Sequence, residues 1–276
     1  MELVKFQHTV FALPFALTAA LVAANGLPAW RTLLWILLAL VGARTAAMGF
    51  NRIVDLKFDR LNPRTANREL PTGKIPVPAA AALVVVAAAV FVLAAHELNR
   101  LAFYLSFPTL AVLLGYSYTK RFTSWSHMVL GLCLGLAPMG AWVAIRQEIA
   151  LTPLALTLAV LLWVAGFDIL YSCMDVEFDK QSGLHSMVTR LGVPGALRLA
   201  AALHAGFLLL LAGFGVLAHL GVPFYVTTGL IGGLLLYEHA LVKPTDLSRV
   251  NLAFFTVNGV VSVLILVGVG IEVMAL

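Results

Sequence analysis

An all-α, polytopic membrane protein is the fold class this sequence predicts, and three observations predict it. The chain of 276 residues is 61% hydrophobic and only 11% charged, too little polar surface to keep a domain of this size in water. Its apolar residues fall into runs of about 20, the length at which a helix crosses the hydrocarbon while satisfying its own backbone groups. The alternating apolar and polar strands of a membrane barrel are absent from the sequence.

Nine spans are expected, over residues 10–27, 30–50, 78–95, 101–118, 128–145, 153–171, 195–218, 223–240 and 252–274. The first is short and carries Pro14. Only Lys5 precedes its apolar run, and with eight spans following it is read as a retained helix rather than a cleaved signal. Trp30 and Trp35 open the second span and suit anchoring at the membrane interface. Gly131 and Gly135 form a GxxxG in the fifth, which points to close helix packing. Cys133 and Cys173 lie in or beside apolar runs with no metal-type neighbour, as packing thiols do.

The basic residues orient the spans. With the N-terminus inside, one face holds Lys5, Arg52, Lys57, Arg60, Arg64, Arg68, Lys74, Lys120, Arg121, Lys180, Arg190, Arg198, Lys243 and Arg249, while the opposite loops hold Arg31, Arg100 and Arg146. This bias predicts a cytoplasmic N-terminus and an outer C-terminus in the cell's inner (cytoplasmic) membrane. The lipid bilayer is the implied partner; no nucleic acid and no obligatory protein partner are expected.

Two charged phrases interrupt this apolar chain. NRIVDLKFDR covers residues 51–60 and YSCMDVEFDK covers 171–180; both run carboxylate, aliphatic, charged, Phe, carboxylate, base. One closes the second span and the other the sixth. An even number of helices separates them, so the chain is expected to form two parallel four-helix halves plus one helix around a central cavity, as a single domain over 1–276.

If the second helix continues past the membrane surface, Arg44, Asn51, Asp55 and Asp59 share a face at spacings of seven, four and four. Asp168, Tyr171, Asp175 and Asp179 do so in the sixth, at three, four and four. Solvated loop charges explain Lys57, Arg60, Glu177 and Lys180. They do not explain Arg44 and Asp168, which lie within apolar sequence where an ionisable group costs a few kcal/mol to insert.

Carboxylates converging on one cavity mouth repel unless a cation sits among them. Aspartate and Asn oxygens, without His or Cys partners, suit Mg²⁺. Arg64 and Arg68 in NPRTANREL, Lys120 in YSYTKR, and Arg44 supply the complement for phosphate oxygens. Acids, a hard cation and bases at the mouth of an apolar cavity describe a diphosphate on a lipid tail.

At these residues the whole chain resembles the UbiA superfamily of intramembrane prenyltransferases. The family's first motif, NDxxDxxxD followed by an RTxxRP-like segment, is matched by Asn51, Asp55, Asp59, Arg64, Thr65 and Arg68. Its YxxxK is matched by Tyr116 and Lys120, and its second motif by Asp168, Tyr171, Asp175 and Asp179. Arg52 stands where many members carry Asp, and the segment reads REL rather than RPL, as in the 4-hydroxybenzoate polyprenyltransferase branch.

The resemblance implies Mg²⁺-dependent ionisation of a polyprenyl diphosphate and attack of an aromatic acid on the allylic cation, in ubiquinone or menaquinone biosynthesis. It implies metal–diphosphate binding by Asn51, Asp55, Asp59, Asp175 and Asp179, with Asp55 and Asp175 central to catalysis. Arg64, Arg68 and Lys120 would hold diphosphate oxygens, supported by Tyr116. Asp168 and Tyr171 would position the acceptor or take its proton, and Arg44 would meet the acid's carboxylate or Asp55. Another acceptor, such as 1,4-dihydroxy-2-naphthoate, is an alternative; a parallel-repeat transporter is the rival from another class. The polar loop from 52 to 77 is expected to act as a lid. His8 and His185 could touch the acceptor, while His96, His204, His219 and His239 show no ligand spacing.

Overall fold

The computed structural model describes residues 9–274, and the regular structure among them is helical apart from one isolated bridge between Lys243 and Asp246. Lys5 and His8 lie outside the described residues. The helices are α1 (Thr9–Ala24), α2 (Trp30–Val54), α3 (Leu56–Leu61), α4 (Val77–Leu98), α5 (Arg100–Gly115), α6 (Ser126–Arg146), α7 (Leu151–Ser172), α8 (Val176–Gln181), α9 (Met187–Leu217), α10 (Val222–Leu241) and α11 (Asn258–Met274). A 3₁₀ turn over Tyr116–Arg121 follows α5, and a π-helical turn over Leu252–Val257 leads into α11.

Seven of these helical stretches are long and apolar enough to cross a membrane. The shorter α1 and α10 coincide with the two remaining expected spans. Apolar side chains such as Val85, Leu209 and Leu236 face outward, 67%, 76% and 76% exposed, where lipid rather than water is their natural neighbour.

The packing of the two halves repeats in part. α2 packs along α4 as α7 packs along α9, whereas the close pairing of α6 with α7 has no counterpart, because α1 makes little contact with α2. The α2–α4 seam is tight because Gly42 lets the backbones meet: a Cβ there would stand 2.9 Å from Ala87 O and Phe91 N. The GxxxG of α6 does the same against α7, with Gly131 facing Leu161 O and Gly135 facing Thr157 O. The expectation of close packing holds. The seam between the halves is made by α1, which lies against α6 and α11. Phe11 and Phe15 of α1 lock onto Trp163, at centroid distances of 6.2 and 5.0 Å.

Three expectations are corrected here. The second and sixth helices do not continue unbroken through the acidic phrases. α2 ends at Val54 and α7 at Ser172, and the first carboxylates of the two phrases, Asp55 and Asp175, sit in the breaks before α3 and α8. The chain still keeps helix-like bonds across the first break, from Asp55 N to Asn51 O at 2.9 Å and from Asp59 N to Asp55 O at 2.8 Å. Nor is 52–77 a single loop. Its start belongs to α2 and α3, and the irregular part is residues 62–76, anchored by buried Leu70 against Ala80. α9, the helix of the seventh expected span, also begins earlier than expected, at Met187, and bends at Gly192, whose φ of 68° lies in the left-handed region that Pro194 then follows.

Candidate functional site at the mouth of the central cavity

One cavity of about 750 Å³ runs between the two halves, in the size range of pockets that enclose a whole ligand. Its depth is apolar, lined by Ile36, Leu40, Phe91, Leu105, Leu134 and Phe167. Its mouth carries the charged phrases. Arg44, Asn51, Asp55, Asp59, Arg64, Arg68, Tyr116, Lys120, Asp168, Tyr171, Asp175 and Asp179 all line this one space. The two acidic segments, about 120 residues apart in sequence, meet across it.

They meet through the chain that follows α3. Asn62 Nδ2 donates to Asp175 Oδ1 at 3.3 Å, and Asn62 Oδ1 accepts from the Arg64 backbone N–H at 3.0 Å. Arg64 grips Asp175 as a fork, Nε to Oδ1 at 3.0 Å and Nη2 to Oδ2, and its Nη1 donates to the Tyr171 hydroxyl at 2.6 Å. Burial works to lower the Arg64 guanidinium, but the bonds from Asp175 outweigh it and the net effect is to raise it.

Every acid of the two motifs has a basic neighbour of its own. Asp59 Oδ1 accepts from Arg68 Nη1 at 2.7 Å, with Arg52 3.7 Å from Oδ2. Asp179 Oδ2 stands 3.7 Å from Lys120 Nζ, and Asp55 Oδ1 stands 3.7 Å from Arg121 Nη2. Arg52 therefore works as a further counter-ion to Asp59. Asp55 also accepts from Asn51 Nδ2 at 3.0 Å. Burial raises the Asp55 carboxyl above the usual carboxylate range, and the nearby negative charge of Asp59 raises it further, against Arg121 and Lys120.

Two oxygens stand out. Asp59 Oδ2 and Asp179 Oδ2 are buried and accept no hydrogen bond among the described residues. Among those residues no three His, Cys, Asp or Glu side chains gather closely enough to hold one ion by themselves. The acids are instead spread in a ring and tied to bases.

Deeper in the cavity, Arg44 turns Nε and Nη2 toward Met48 Sδ, both at 3.4 Å. Tyr171 lies against Phe254 of the π-helical turn, with centroids 4.2 Å apart and planes tilted by 35°. Asp168 Oδ2 makes a 2.6 Å bond with His127 Nδ1. Cys133 borders the cavity and Cys173 is buried, both as free thiols. His185 gives its backbone N–H to Lys120 O at 2.7 Å, steadying the lysine's turn.

Sequence reasoning missed four groups. Asn62, Arg121 and His127 carry no motif spacing that would reveal them. The fourth is a buried polar network in the second half. Trp163 Nε1 donates to Asn258 Oδ1 at 2.8 Å, and Asn258 Nδ2 donates to Glu238 Oε1 at 2.6 Å. Two histidines that show no ligand spacing in the sequence are joined there: His204 Nδ1 lies 3.0 Å from His239 Nε2 and 3.6 Å from Glu238 Oε2.

The comparisons with known proteins agree with this architecture. The model of the UbiA prenyltransferase family matches residues 12–273. A 4-hydroxybenzoate octaprenyltransferase from Tolumonas auensis is 30% identical over 253 residues, spanning 92% of this chain and 88% of that protein. One of the same description from Citrobacter koseri is 32% identical over 254 residues, spanning 91% and 86%. Among solved structures, the apo structure of a UbiA homolog from Aeropyrum pernix K1 has a TM-score of 0.88 at 37% identity, covering 99% of this chain and all of that one. A UbiA homolog from Archaeoglobus fulgidus bound to DMAPP and Mg²⁺ shares the fold at a TM-score of 0.77 and 21% identity, with both chains fully covered. The transporter alternative falls away, for the helices, the paired acidic phrases and the match along almost the full length lead to one conclusion: this chain belongs to the UbiA prenyltransferase family.

Proposed function

We propose that the protein transfers a polyprenyl group from a polyprenyl diphosphate to an aromatic acid, foremost 4-hydroxybenzoate, with Mg²⁺, as a step of ubiquinone or menaquinone biosynthesis. The observation that carries this reading is the union of a charged ring with an apolar chamber in one 750 Å³ cavity. A diphosphate needs the first and a prenyl tail needs the second. The names of the curated relatives support the choice of acceptor.

Support for a divalent ion comes from the donor chemistry. Asn51, Asp55, Asp59, Asp175 and Asp179 offer only oxygens as ligand atoms, and the two buried oxygens that accept no hydrogen bond among the described residues are in this set. These five residues would hold Mg²⁺, which when bound would neutralise charge on the departing pyrophosphate. The solved relative bound to DMAPP and Mg²⁺ supports the same pairing of ligands.

The remaining roles fall to the chain itself. Arg64, Arg68 and Lys120 exchange their carboxylate partners for diphosphate oxygens, and Tyr116 and Tyr171 line the path beside them. The loop that carries Arg64 and Arg68 closes over the head group as they do so. The apolar depth keeps water from the allylic cation. Arg44 receives the acceptor's carboxylate, and Asp168 takes the proton that the ring releases. Both motifs open on the cytoplasmic side, with the N-terminus inside and the C-terminus outside.

The test is to incubate the purified protein with Mg²⁺, a panel of prenyl diphosphates and aromatic acids, and to identify products by mass. Prenylated 4-hydroxybenzoate is the expected product. Turnover of 1,4-dihydroxy-2-naphthoate alone would reassign the acceptor, and no product with any aromatic acid would overturn the reading.

A further inference from the structure

His127, the second residue of α6, is fully buried and does not line the cavity. Its two ring nitrogens are both committed. Nε2 accepts the backbone N–H of Met187, the first residue of α9, at 3.3 Å. A nitrogen that accepts carries no proton, so in the neutral ring the proton is on Nδ1. From there it is donated to Asp168 Oδ2 at 2.6 Å. The other carboxylate oxygen, Oδ1, has no hydrogen-bond partner among the described residues, and Asp168 lines the cavity beside Tyr116 and Tyr171. The ring is thus pinned from behind by a backbone amide and presents a carboxylate to the chamber in one orientation.

We propose that His127 is the positioning residue for proton removal: through its Nδ1–H it fixes Asp168 so that Oδ1 meets the acceptor ring. The proposal rests on the prenyl-transfer reading and assigns a further residue within it. Each turnover forms one bond from a ring carbon to the prenyl carbon and breaks the prenyl C–O bond, whose electron pair leaves with pyrophosphate. The ring carbon then loses its hydrogen: the C–H pair returns to the ring, and the proton is taken by a lone pair of Asp168 Oδ1. The protonated carboxyl passes that proton to water when the product leaves. A carboxylate free to rotate would do this more slowly, because the reacting geometry must be found anew in each cycle.

The design of the test uses the two amide replacements of histidine. His127→Asn places its amide nitrogen near the position of Nδ1 and keeps the donor to Asp168. His127→Gln places its polar end near Nε2 and loses that donor. The intact protein in detergent is assayed with Mg²⁺, prenyl diphosphate and either ordinary or ring-deuterated 4-hydroxybenzoate. His127→Gln and His127→Ala are expected to lose roughly 10- to 100-fold in kcat with little change in KM for the diphosphate. Both should show a larger deuterium effect than wild type, because proton removal has become slow. His127→Asn is expected to retain kcat to within about threefold and the wild-type isotope effect. If Asn and Gln variants fall together without a change in isotope effect, or if neither falls, the positioning role is wrong while the prenyl-transfer reading stands. If wild type yields no prenylated aromatic acid, that reading fails and takes this one with it. Should the Ala variant not fold, the contrast between Asn and Gln still decides.

Discussion

Asp55 and Asp175 occupy the same backbone conformation, φ −88°, ψ 5° and φ −104°, ψ 4°, each in the step between a long membrane helix and a six-residue helix. The values lie in the sparsely populated bridge region, where residues of functional sites are often found. The sequence repeat is thus a repeat of shape: both halves bend the chain at the phrase's first carboxylate and aim it into the shared mouth. Replacing either with Asn keeps the shape and removes the charge. Asp55→Asn and Asp175→Asn are each expected to lower kcat at least about 100-fold, with product measured by mass. The double variant should be far less than additive, since the pair acts as one unit. Two independent, additive losses would argue against a joint site.

Arg64 makes a forked contact that a lysine cannot copy. Arg64→Lys and Arg64→Ala should both raise KM for the prenyl diphosphate, roughly 10-fold or more, and Arg68→Ala should do likewise. Titration calorimetry of the diphosphate reads this directly. Wild-type affinity in an Arg64→Ala/Arg68→Ala protein would remove the closing loop from the mechanism.

Chelation separates the metal from the fold. With Mg²⁺ and prenyl diphosphate at about 100 times their dissociation constant, binding should stabilise the protein by about 2.7 kcal/mol, seen as a rise in Tm in detergent. EDTA should abolish that rise and leave the Tm of the ligand-free protein unchanged. A fall in the ligand-free Tm would instead indicate a structural ion.

The small residues of the α6–α7 seam have no room to grow. Gly135→Val pushes a side chain toward Thr157 O, which a Cβ alone would already approach to 2.6 Å, and should cost about 1–3 kcal/mol. Gly233→Ala in α10, where a Cβ would meet nothing within 4 Å, should be neutral or slightly stabilising. Thermal unfolding of the two variants side by side checks this.

Asn258 joins Glu238 to Trp163 at the end of the π-helical turn that seats Phe254 against Tyr171. Asn258→Ala leaves a buried carboxyl and a buried indole N–H without their partner and should cost about 1–3 kcal/mol. It should also lower activity, because the turn loses the anchor of its cavity wall. Unchanged activity in a destabilised variant would show that the wall is held by its aromatic contacts alone.

Much of this was legible in the sequence. Composition and run length are enough for the membrane class, and Asn51, Asp55, Asp59, Asp175 and Asp179 could be found because their spacing repeats. Their convergence followed from parity: four helices apart means the same face of the membrane. The breaks at Asp55 and Asp175 were not legible, because nothing local forbids a helix there; the tertiary ties of Arg64 and Asn62 to Asp175 go with the bend. His127 was invisible for the opposite reason. Its partner Asp168 lies 41 residues away, and no periodicity links two side chains that meet only when α6 packs on α7. The Glu238 network was hidden in the same way.

The ring of matched charges makes occupancy of the chamber conditional. Since Arg64, Arg68, Lys120 and Arg121 already answer the aspartates, a lone magnesium ion gains little by entering an idle enzyme, for it must displace a resident cation and find its own counter-charge. Under the proposed function, cargo that arrives as a magnesium salt of its pyrophosphate would bring both signs at once, so that arginine and ion would change partners in a single exchange. On the proposed reading, the site without such cargo stays latched by its own side chains.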